Sequence, residues 1–520
     1  MLKKSFFFFF FFLYAFCGKG QTNMTLDRDF LVPYQSNFNN TNCTVFTSIM
    51  PYDKEQVENA IQHDSTGKYK DLVFKNHDYL FSSGSLNATI FPLAGASAGY
   101  DAYGKNTTYD YSGGLHVDGK WGNNFSFSGN YLGGDIYGPS YIDSIIKRYK
   151  VVPGLGYAYS SPAKGYSYQY WDGYISYNLN KNFNFQLGQG KQFWGDGYRS
   201  LFLSDVSTSY PYFKITATLW KIQFVSMLTI MQDAETPTGL SQNFKTKYSS
   251  FHYLSWNVSP RVNISLFEAI TYDGDSGKNV RGPDPSYLNP IIFYQPVNYN
   301  IGDPDKSNLG GAFKIKVAKK EQFYGQLLID EFKLQEVIHR TEWWGNKQGA
   351  QFGFKAFDLF KVQNLSFQTE IDYVRPYTYT ARDPLQNYSN FNQPLADPEG
   401  ANFIESASFL TYYHKNFLIQ GSLIAYHYGG DKNGSDYGEN IFINYNNHPY
   451  NFGNYVGQGV STYLATFCLK TNFIISPKMN LKAEVALYEM LDKVGPTEIN
   501  EPYITIGIKT SLGNLYSDFR

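Results

Sequence analysis

The chain has few cysteines, almost no net charge and no metal-binding cysteine motif. Three cysteines occur in 520 residues, and only Cys43 and Cys468 lie beyond the first twenty. Two cysteines so far apart do not indicate a disulfide framework, and we predict that both are free thiols. The formal net charge of -1 at pH 7 gives no electrostatic reason to expect nucleic acid as a partner. No metal site and no cofactor are predicted.

Long apolar runs are also missing from the chain beyond residue 20. None approaches the roughly 20 residues that a transmembrane helix needs, which excludes insertion into a membrane through helices. Aromatic residues are abundant instead, because 46 Tyr, 43 Phe and 7 Trp make 18% of the chain. With 17% charged residues and a mean hydropathy of -0.38, this composition suits a barrel whose lipid-facing and lumen-facing residues alternate.

Residues 1–20 have the pattern of a secretory signal peptide. Two lysines precede an apolar run from Phe6 to Phe16, and small residues follow at Gly18 and Gly20. The run is too short to span a bilayer, and the two glycines stand where a signal peptidase reads small residues. We therefore predict cleavage after residue 20.

Residues 21–85 lack strand-like alternation and contain polar stretches with helical character. Asp53 stands at the start of the stretch Tyr52–His63, where it can cap a helix, and Glu55 lies in the first turn. We predict a separate small helical segment over residues 21–85, located in the periplasm.

The stretch Tyr109–Gly134 shows the pattern that the remainder of the chain repeats. One face of its first half carries aromatic, apolar or small residues: Tyr109, Tyr111, Gly113, Leu115, Val117, Gly119 and Trp121. Polar residues such as His116 alternate with them, and the alternation resumes after a turn at Gly122–Asn124. This is a β-hairpin with one apolar face, and by itself it fits a soluble sheet as well as a membrane barrel.

Further hairpins follow through residue 512 and bring the count to about 18 strands. An even number returns both ends of the sheet to the same side, as outer-membrane barrels require. The turns within hairpins are short, whereas the links between them are long: 135–165, 190–211, 232–248, 271–308, 375–402 and 428–458. We predict an all-β fold over residues 86–520, a transmembrane antiparallel β-barrel in the Gram-negative outer membrane. Its long loops face outward and its surface contacts lipid.

The loop from Gly188 to Asp205, GQGKQFWGDGYRSLFLSD, is the least generic stretch of the protein. Trp194 and Tyr198 offer flat faces for stacking, and the acidic residues beside Arg199 supply paired polar groups, a combination that suits carbohydrate. The candidates for polysaccharide contact are Trp194, Asp196, Tyr198, Arg199 and Asp205. A second interpretation is that Arg199 pairs with an acidic neighbour and holds the loop in the lumen as a constriction. The two interpretations are compatible.

Trp343 and Trp344 form a second candidate site in a predicted outer loop. They are either a stacking platform for polysaccharide or part of the aromatic girdle at the membrane interface. His116 alternates onto the polar face of its strand, which predicts a hydrogen-bonded histidine in the lumen.

The sequence resembles outer-membrane capsule-assembly proteins of the Wzi type, in the branch that includes the gliding-motility protein RemB. The resemblance rests on FWGDGYRSLFLSD (Phe193 to Asp205), YPYFKI (Tyr210 to Ile215), NPIIFYQPVNYNIGDPDKSNLGG (Asn289 to Gly311), YGQLLIDEF (Tyr324 to Phe332) and NQPLADPEGANF (Asn392 to Phe403). It implies an 18-strand barrel with a small periplasmic helical part and a role in attaching or assembling surface polysaccharide. The chain departs from the branch at Asp305 and Lys306, where an Asp-Asn pair is expected, and at Asp397, where His is frequent.

The leading hypothesis is a non-enzymatic protein that binds, anchors or helps to assemble capsular or exopolysaccharide. The alternatives are a RemB-like accessory protein of gliding motility and a porin-type diffusion channel. A barrel hydrolase would need a nucleophile, a base and an orienting group together at the rim, and the sequence indicates no such set. The partners expected are outer-membrane lipid, surface polysaccharide and other envelope or motility proteins.

Overall fold

Eighteen antiparallel strands form a closed barrel in the computed structural model, which describes residues 22–43, 45–62, 81–234, 244–274, 282–289, 305–432, 434–516 and 518. In chain order β1 to β18 are Leu86–Asp101, Asn106–Trp121, Phe125–Tyr137, Tyr166–Asn178, Phe183–Gly190, Tyr210–Leu219, Ile222–Asp233, Lys245–Asn257, Val262–Asp273, Lys306–Lys316, Glu321–Glu331, Lys347–Phe357, Leu365–Val374, Phe403–His414, Phe417–Gly430, Val460–Ser476, Leu481–Val494 and Thr497–Thr510. Each strand pairs with its neighbours in sequence, and β18 pairs with β1 to close the sheet. The predicted fold and strand number are confirmed.

Alternation along each strand separates a lipid-facing surface from a polar lumen. On β2, Leu115 points outward and is 56% exposed, whereas His116 points inward. The imidazole of His116 lies 2.5 Å from Asn130 Oδ1 and 3.0 Å from Asp118 Oδ1, so the prediction of a hydrogen-bonded lumen histidine is confirmed. Large apolar side chains cover the outer face of other strands as well, for example Leu187 and Ile506. This surface places the barrel in the outer membrane, in contact with lipid.

The connections at the two ends of the barrel differ in length, as predicted. Trp220–Lys221 joins β6 to β7, and 415–416 joins β14 to β15, both at the end where β1 begins and β18 ends. We assign this end to the periplasm, because outer-membrane barrels have short periplasmic turns and longer outer loops. Two outer connections, 102–105 and 495–496, are short, and neither is among the links predicted to be long.

Short helices and strand pairs occupy the remaining segments. The helices are α1 Arg28–Phe38, α2 Lys54–Gln62, α3 Ser140–Tyr149 and α4 Leu334–Ile338. The short strands are Ile49–Met50, Phe81–Ser83, Val151–Val152, Gly156–Tyr157, Tyr159–Ser160, Phe193–Trp194, Ser389–Asn390 and Gln393–Pro394. Among the helices that the structure describes, none has the length and apolar character to cross a membrane. The predicted signal peptide, residues 1–20, lies outside the described residues.

The described N-terminal residues 22–43 and 45–62 contain helices α1 and α2 and contact the barrel wall from inside, whereas residues 63–80 of the predicted segment lie outside the described residues. Helix α1 lies inside the periplasmic end of the barrel, where the carboxylate of Asp29 contacts the inward-facing Lys470 of β16 at 2.8 Å and Lys482 of β17 at 3.1 Å. Asp27 contacts the same Lys482 at 2.9 Å. A lysine buried in the lumen needs a counter-charge, and the acidic start of α1 supplies it. This requirement draws the segment into the barrel.

We expect Leu115→Arg to impair assembly of the barrel in the membrane. An arginine on the lipid face near the bilayer midplane costs about 2–4 kcal/mol, whereas His116→Arg places the same charge in the lumen. The measurement is the fraction of heat-modifiable, folded protein in isolated outer membranes. If Leu115→Arg assembled normally and His116→Arg did not, the assignment of the two faces would be inverted.

Candidate functional site

The loop between β5 and β6, residues 191–209, enters the lumen and is here called the inner loop. Its strand Phe193–Trp194 pairs with Ile49–Met50 of the N-terminal segment, and Gly195 N donates to Ser48 O at 2.9 Å. Gly195 has φ +155°, and a Cβ at this position would collide with the side chain of Gln326 on β11. The positive φ favours glycine at this position, where the loop meets the wall. The predicted entry of this loop into the lumen is confirmed.

Trp194 has no exposed surface and packs against aromatic side chains of the barrel wall. Its ring centroid lies 5.9 Å from that of Phe251, 5.4 Å from Tyr253 and 6.2 Å from Phe267. These rings cover the faces on which a sugar would stack. Trp194 therefore anchors the inner loop. In this structure its ring is not accessible for stacking with a sugar, as direct polysaccharide contact would require.

Arg199 lies at the centre of a buried group of carboxylates. Its Nε and Nη2 donate to Glu405 Oε1 on β14, both at 3.1 Å, and Nη2 also contacts Asp518 in the C-terminal tail. Asp397, in the loop after β13, lies 3.5 Å from Nε. Burial by itself lowers the pKa of Arg199, but the carboxylates of Asp518 and Glu405 outweigh burial and hold it well above its ordinary value.

The predicted pairing of Arg199 with an acidic group is confirmed, but the partners differ from the expected ones. Asp196 and Asp205 are near Arg199 in sequence, yet the structure directs each of them to another segment. Thr47 Oγ1 donates to Asp196 at 2.5 Å, and Lys314 Nζ lies 3.4 Å from the same oxygen. The carboxylate of Asp205 instead accepts hydrogen bonds from the C-terminal tail, at 2.6 Å from the Tyr516 hydroxyl and 2.8 Å from the Asn514 amide.

Tyr198 lies between two guanidinium groups. The Cζ atom of Arg28 is 4.6 Å from its ring centroid, and that of Arg199 is 4.7 Å away. The ring also packs against Phe409 of β14, with centroids 4.3 Å apart. Cation–π contacts of this kind strengthen when they are shielded from water. Tyr198 thus connects the inner loop, helix α1 and the barrel wall.

Four segments lie in the lumen, and we call them the lumen plug: the N-terminal residues 22–43 and 45–62, the inner loop, the loop 375–402, and the tail residues 511–516 and 518. The loop 375–402 packs on the inner loop through Tyr379, whose hydroxyl donates to Leu201 O at 2.8 Å, and through Ser204 N, which donates to Leu395 O at 2.7 Å. In the part of the chain that the structure describes, buried side chains occupy the middle of the lumen.

Two of the cavities between the plug and the wall lie next to charged residues of the plug. One of about 150 Å³ is bordered by Arg28, Asp29 and Lys470. The other, of about 260 Å³, lies against the inner faces of β1 to β5. Lys191, at the border of this second cavity, donates to the backbone oxygen of Asp205 at 3.2 Å, and burial lowers the pKa of Lys191 to about 8.

Trp343 and Trp344 lie on the outer loop between β11 and β12 and not on a lipid-facing strand. Trp344 stacks on His448 with ring centroids 4.3 Å apart, and its backbone N donates to Asn451 O at 3.1 Å. The rings of the two tryptophans lie 5.8 Å apart. Of the two interpretations of this pair, its position outside the strands favours the platform over the girdle.

The inner-loop sequence does not reveal Glu405, Asp518, Tyr426 and Arg28, which complete the surroundings of Arg199 and Tyr198. One signal was present for Glu405: it alternates with the outward-facing Ile404 on a membrane strand, so it faces the lumen and needs a cation. The tail carries no comparable pattern.

We expect Arg199→Met to open the lumen. Removing one partner of a buried ion pair costs about 3–5 kcal/mol, because Glu405 and Asp518 would remain buried without their cation. The strands keep their own hydrogen bonds, so the barrel should still assemble while its conductance in planar bilayers rises. Arg261→Met, in an exposed periplasmic turn, is the matched control. An unchanged conductance for Arg199→Met would show that this group does not hold the plug.

No protein-family model matches the sequence, and no curated protein matches it. Solved structures of similar outline include OprD from Pseudomonas aeruginosa, with 8% identity over 81% of this chain and 94% of that chain and a TM-score of 0.42. The outer membrane protein OpdK from the same species has 7% identity, coverages of 82% and 98%, and a TM-score of 0.44. A BenF-like porin from Pseudomonas fluorescens Pf-5 has 8% identity, coverages of 81% and 97%, and a TM-score of 0.44. Likeness at this level assigns no function, and membership of the Wzi type stays a prediction.

Proposed function

We propose that this protein is a non-catalytic outer-membrane barrel that holds surface polysaccharide at its outer loops while its lumen is closed by its own interior segments. The observation that carries the proposal is a surface of aromatic side chains at the outer end, which we call the outer aromatic surface. Its members are Trp343, Trp344, Tyr445, His448, Tyr450, Phe452 and Tyr455.

Three members of the outer aromatic surface project into solvent. Tyr450 is 58% exposed, Phe452 56% and Tyr455 58%. A ligand that covers exposed aromatic side chains removes their apolar surface from water. Sugar rings present C–H faces that pack on aromatic rings, so these three residues suit a saccharide chain.

Hydrogen bonds between two outer loops hold this surface in place. Gly453 N donates to Thr341 O at 3.0 Å, and Asn454 N donates to Glu342 O at 2.9 Å. Beneath them, Lys347 Nζ lies 3.9 Å from the ring centroid of Tyr445. A surface ordered before binding loses less conformational entropy on binding, which favours recognition of a flexible polymer.

The residues predicted on the inner loop have a supporting role in this proposal. Trp194, Asp196, Tyr198, Arg199 and Asp205 connect the plug segments to one another and to the wall, and the outer loop 375–402 rests on the inner loop. In turn, Tyr377 N of loop 375–402 donates to Gly438 O of the loop that carries most of the outer aromatic surface, at 2.9 Å. The plug thus supports the binding surface from below.

A RemB-like role in gliding motility would use the same outer surface, with an adhesive polymer or an envelope protein as its partner.

A gated, porin-type channel is the second candidate function, and it belongs to a different class of protein. The two cavities beside the plug favour it, since they leave space in the lumen that a movement of the plug could connect.

We expect the combined change Tyr450→Ser, Phe452→Ser and Tyr455→Ser to release cell-associated polysaccharide into the medium. The three side chains lie in an outer loop, so the amount of folded barrel in the membrane should not change. The measurement is the ratio of cell-bound to released polymer. Phe360→Ser is the matched control, because Phe360 is 85% exposed at a periplasmic turn.

Two outcomes would contradict the attachment role. Cells that kept their polymer but lost surface movement would point to the motility role. Cells that kept both would show that the outer aromatic surface is not the site.

We expect the wild-type protein to show little ion conductance in planar bilayers. The middle of its lumen is occupied by buried side chains, and water cannot pass through a packed interior. Purified barrel, verified by heat-modifiable migration, is the sample, and Arg199→Met is the opened reference. A steady wild-type current as large as that of the opened reference would instead favour the porin-type channel.

A further inference from the structure

The cavity against β1 to β5 lies on the periplasmic side of the barrel, away from the outer aromatic surface. It is enclosed by the inner faces of β1 to β5, the N-terminal residues 22–26 and the tail, and its volume is about 260 Å³. Residues 477–480, in the periplasmic turn between β16 and β17, border it. Its contents would therefore come from the periplasm and not from outside the cell.

One wall of this cavity is a continuous chain of hydrogen-bonded side chains. The hydroxyl of Tyr170 donates to Asp172 Oδ2 at 2.8 Å, and the amide of Asn130 donates to Asp172 Oδ1 at 2.5 Å. Asn130 Oδ1 in turn contacts His116, which contacts Asp118 at 3.0 Å. The chain spans three strands. Such connected groups are fixed in advance at positions where ligand hydroxyls can reach them.

Aromatic faces surround this polar chain. Phe91 stacks on the His116 ring with centroids 4.4 Å apart, and Phe30, Tyr174 and Tyr212 line the cavity from α1, β4 and β6. A cavity with aromatic walls and a few convergent polar groups has the usual composition of a small-molecule site. Rings beside carboxylate and amide groups are suited to the C–H faces and hydroxyls of sugars.

Side chains of both negative and positive charge border the cavity. Asp118 and Asp172 face Lys54, Lys191 and Lys478. Carboxylates would repel an anionic ligand and ammonium groups would repel a cationic one, so an uncharged ligand meets the least electrostatic penalty. The volume lies below the range of about 300–1,000 Å³ for drug-sized ligands, which limits the occupant to a short molecule.

We propose that this cavity binds a short, neutral saccharide that enters from the periplasm. This site goes beyond attachment at the outer face and stands on different residues, so each proposal can fail while the other holds. Two sites on opposite sides of a closed plug would let the protein contact saccharide on both sides of the outer membrane.

The test is equilibrium binding to the purified full-length barrel in detergent, followed by saturation-transfer NMR. The probes are cellobiose as a neutral disaccharide, glucosamine as a cation and glucuronic acid as an anion. We expect cellobiose to bind more tightly than the two charged sugars. Asp172→Asn should weaken cellobiose binding about tenfold, because a hydrogen bond to a charged acceptor is lost. Thr89→Phe, which fills the cavity from β1, should abolish it.

Asp110→Asn is the matched control. Asp110 is also an inward-facing carboxylate that accepts a tyrosine hydroxyl, from Tyr168 at 3.1 Å, but it does not border this cavity. It should leave cellobiose binding unchanged. Heat-modifiable migration verifies that each variant is folded, and if Asp172→Asn did not assemble, Thr89→Phe would decide. Absence of cellobiose binding, preference for a charged sugar, or full binding by Thr89→Phe would each overturn the proposal.

Discussion

The segments inside this barrel meet at one buried guanidinium group. Arg199 is 1% exposed and meets carboxylates from β14, from the loop after β13 and from the C-terminal tail. A charge in a low-dielectric interior is tolerated only when it is paired and hydrogen-bonded, so the inner loop and its partners have to be in place together. The plug therefore behaves as one structure although its parts come from distant regions of the chain.

The same electrostatic rule acts at the periplasmic end. Inward-facing Lys470 and Lys482 meet Asp27 and Asp29 at the start of helix α1, which holds the N-terminal segment inside the wall. The N-terminal segment thus lies in the lumen beside strand charges that need partners, whereas Asp518 of the tail is the partner of Arg199 on the inner loop. The outer faces carry apolar side chains and interact with lipid without specific contacts, so the wall is uniform outside and specific inside.

Closing the lumen separates the two faces of the membrane and leaves the outer loops as the surface available to large ligands. The contacts between loop 375–402 and the loop of the outer aromatic surface link that surface to the plug. In the proposed function, a rigid interior would hold the exposed aromatic rings in one arrangement.

The sequence by itself determined the barrel, its strand number and the two faces of each strand, because a period of two is a local property that needs no knowledge of partners. Leu115 and His116 are adjacent and were assigned to opposite faces correctly. Only the tertiary structure decided that Arg199 meets Glu405, 206 residues away, and not the neighbouring Asp196 or Asp205. It also decided that Trp194 is buried. The sequence could not decide this, because an aromatic residue is equally compatible with a ligand platform and with a packed interior. Pairings of this kind depend on where loops meet inside the closed barrel, which alternation along single strands does not encode.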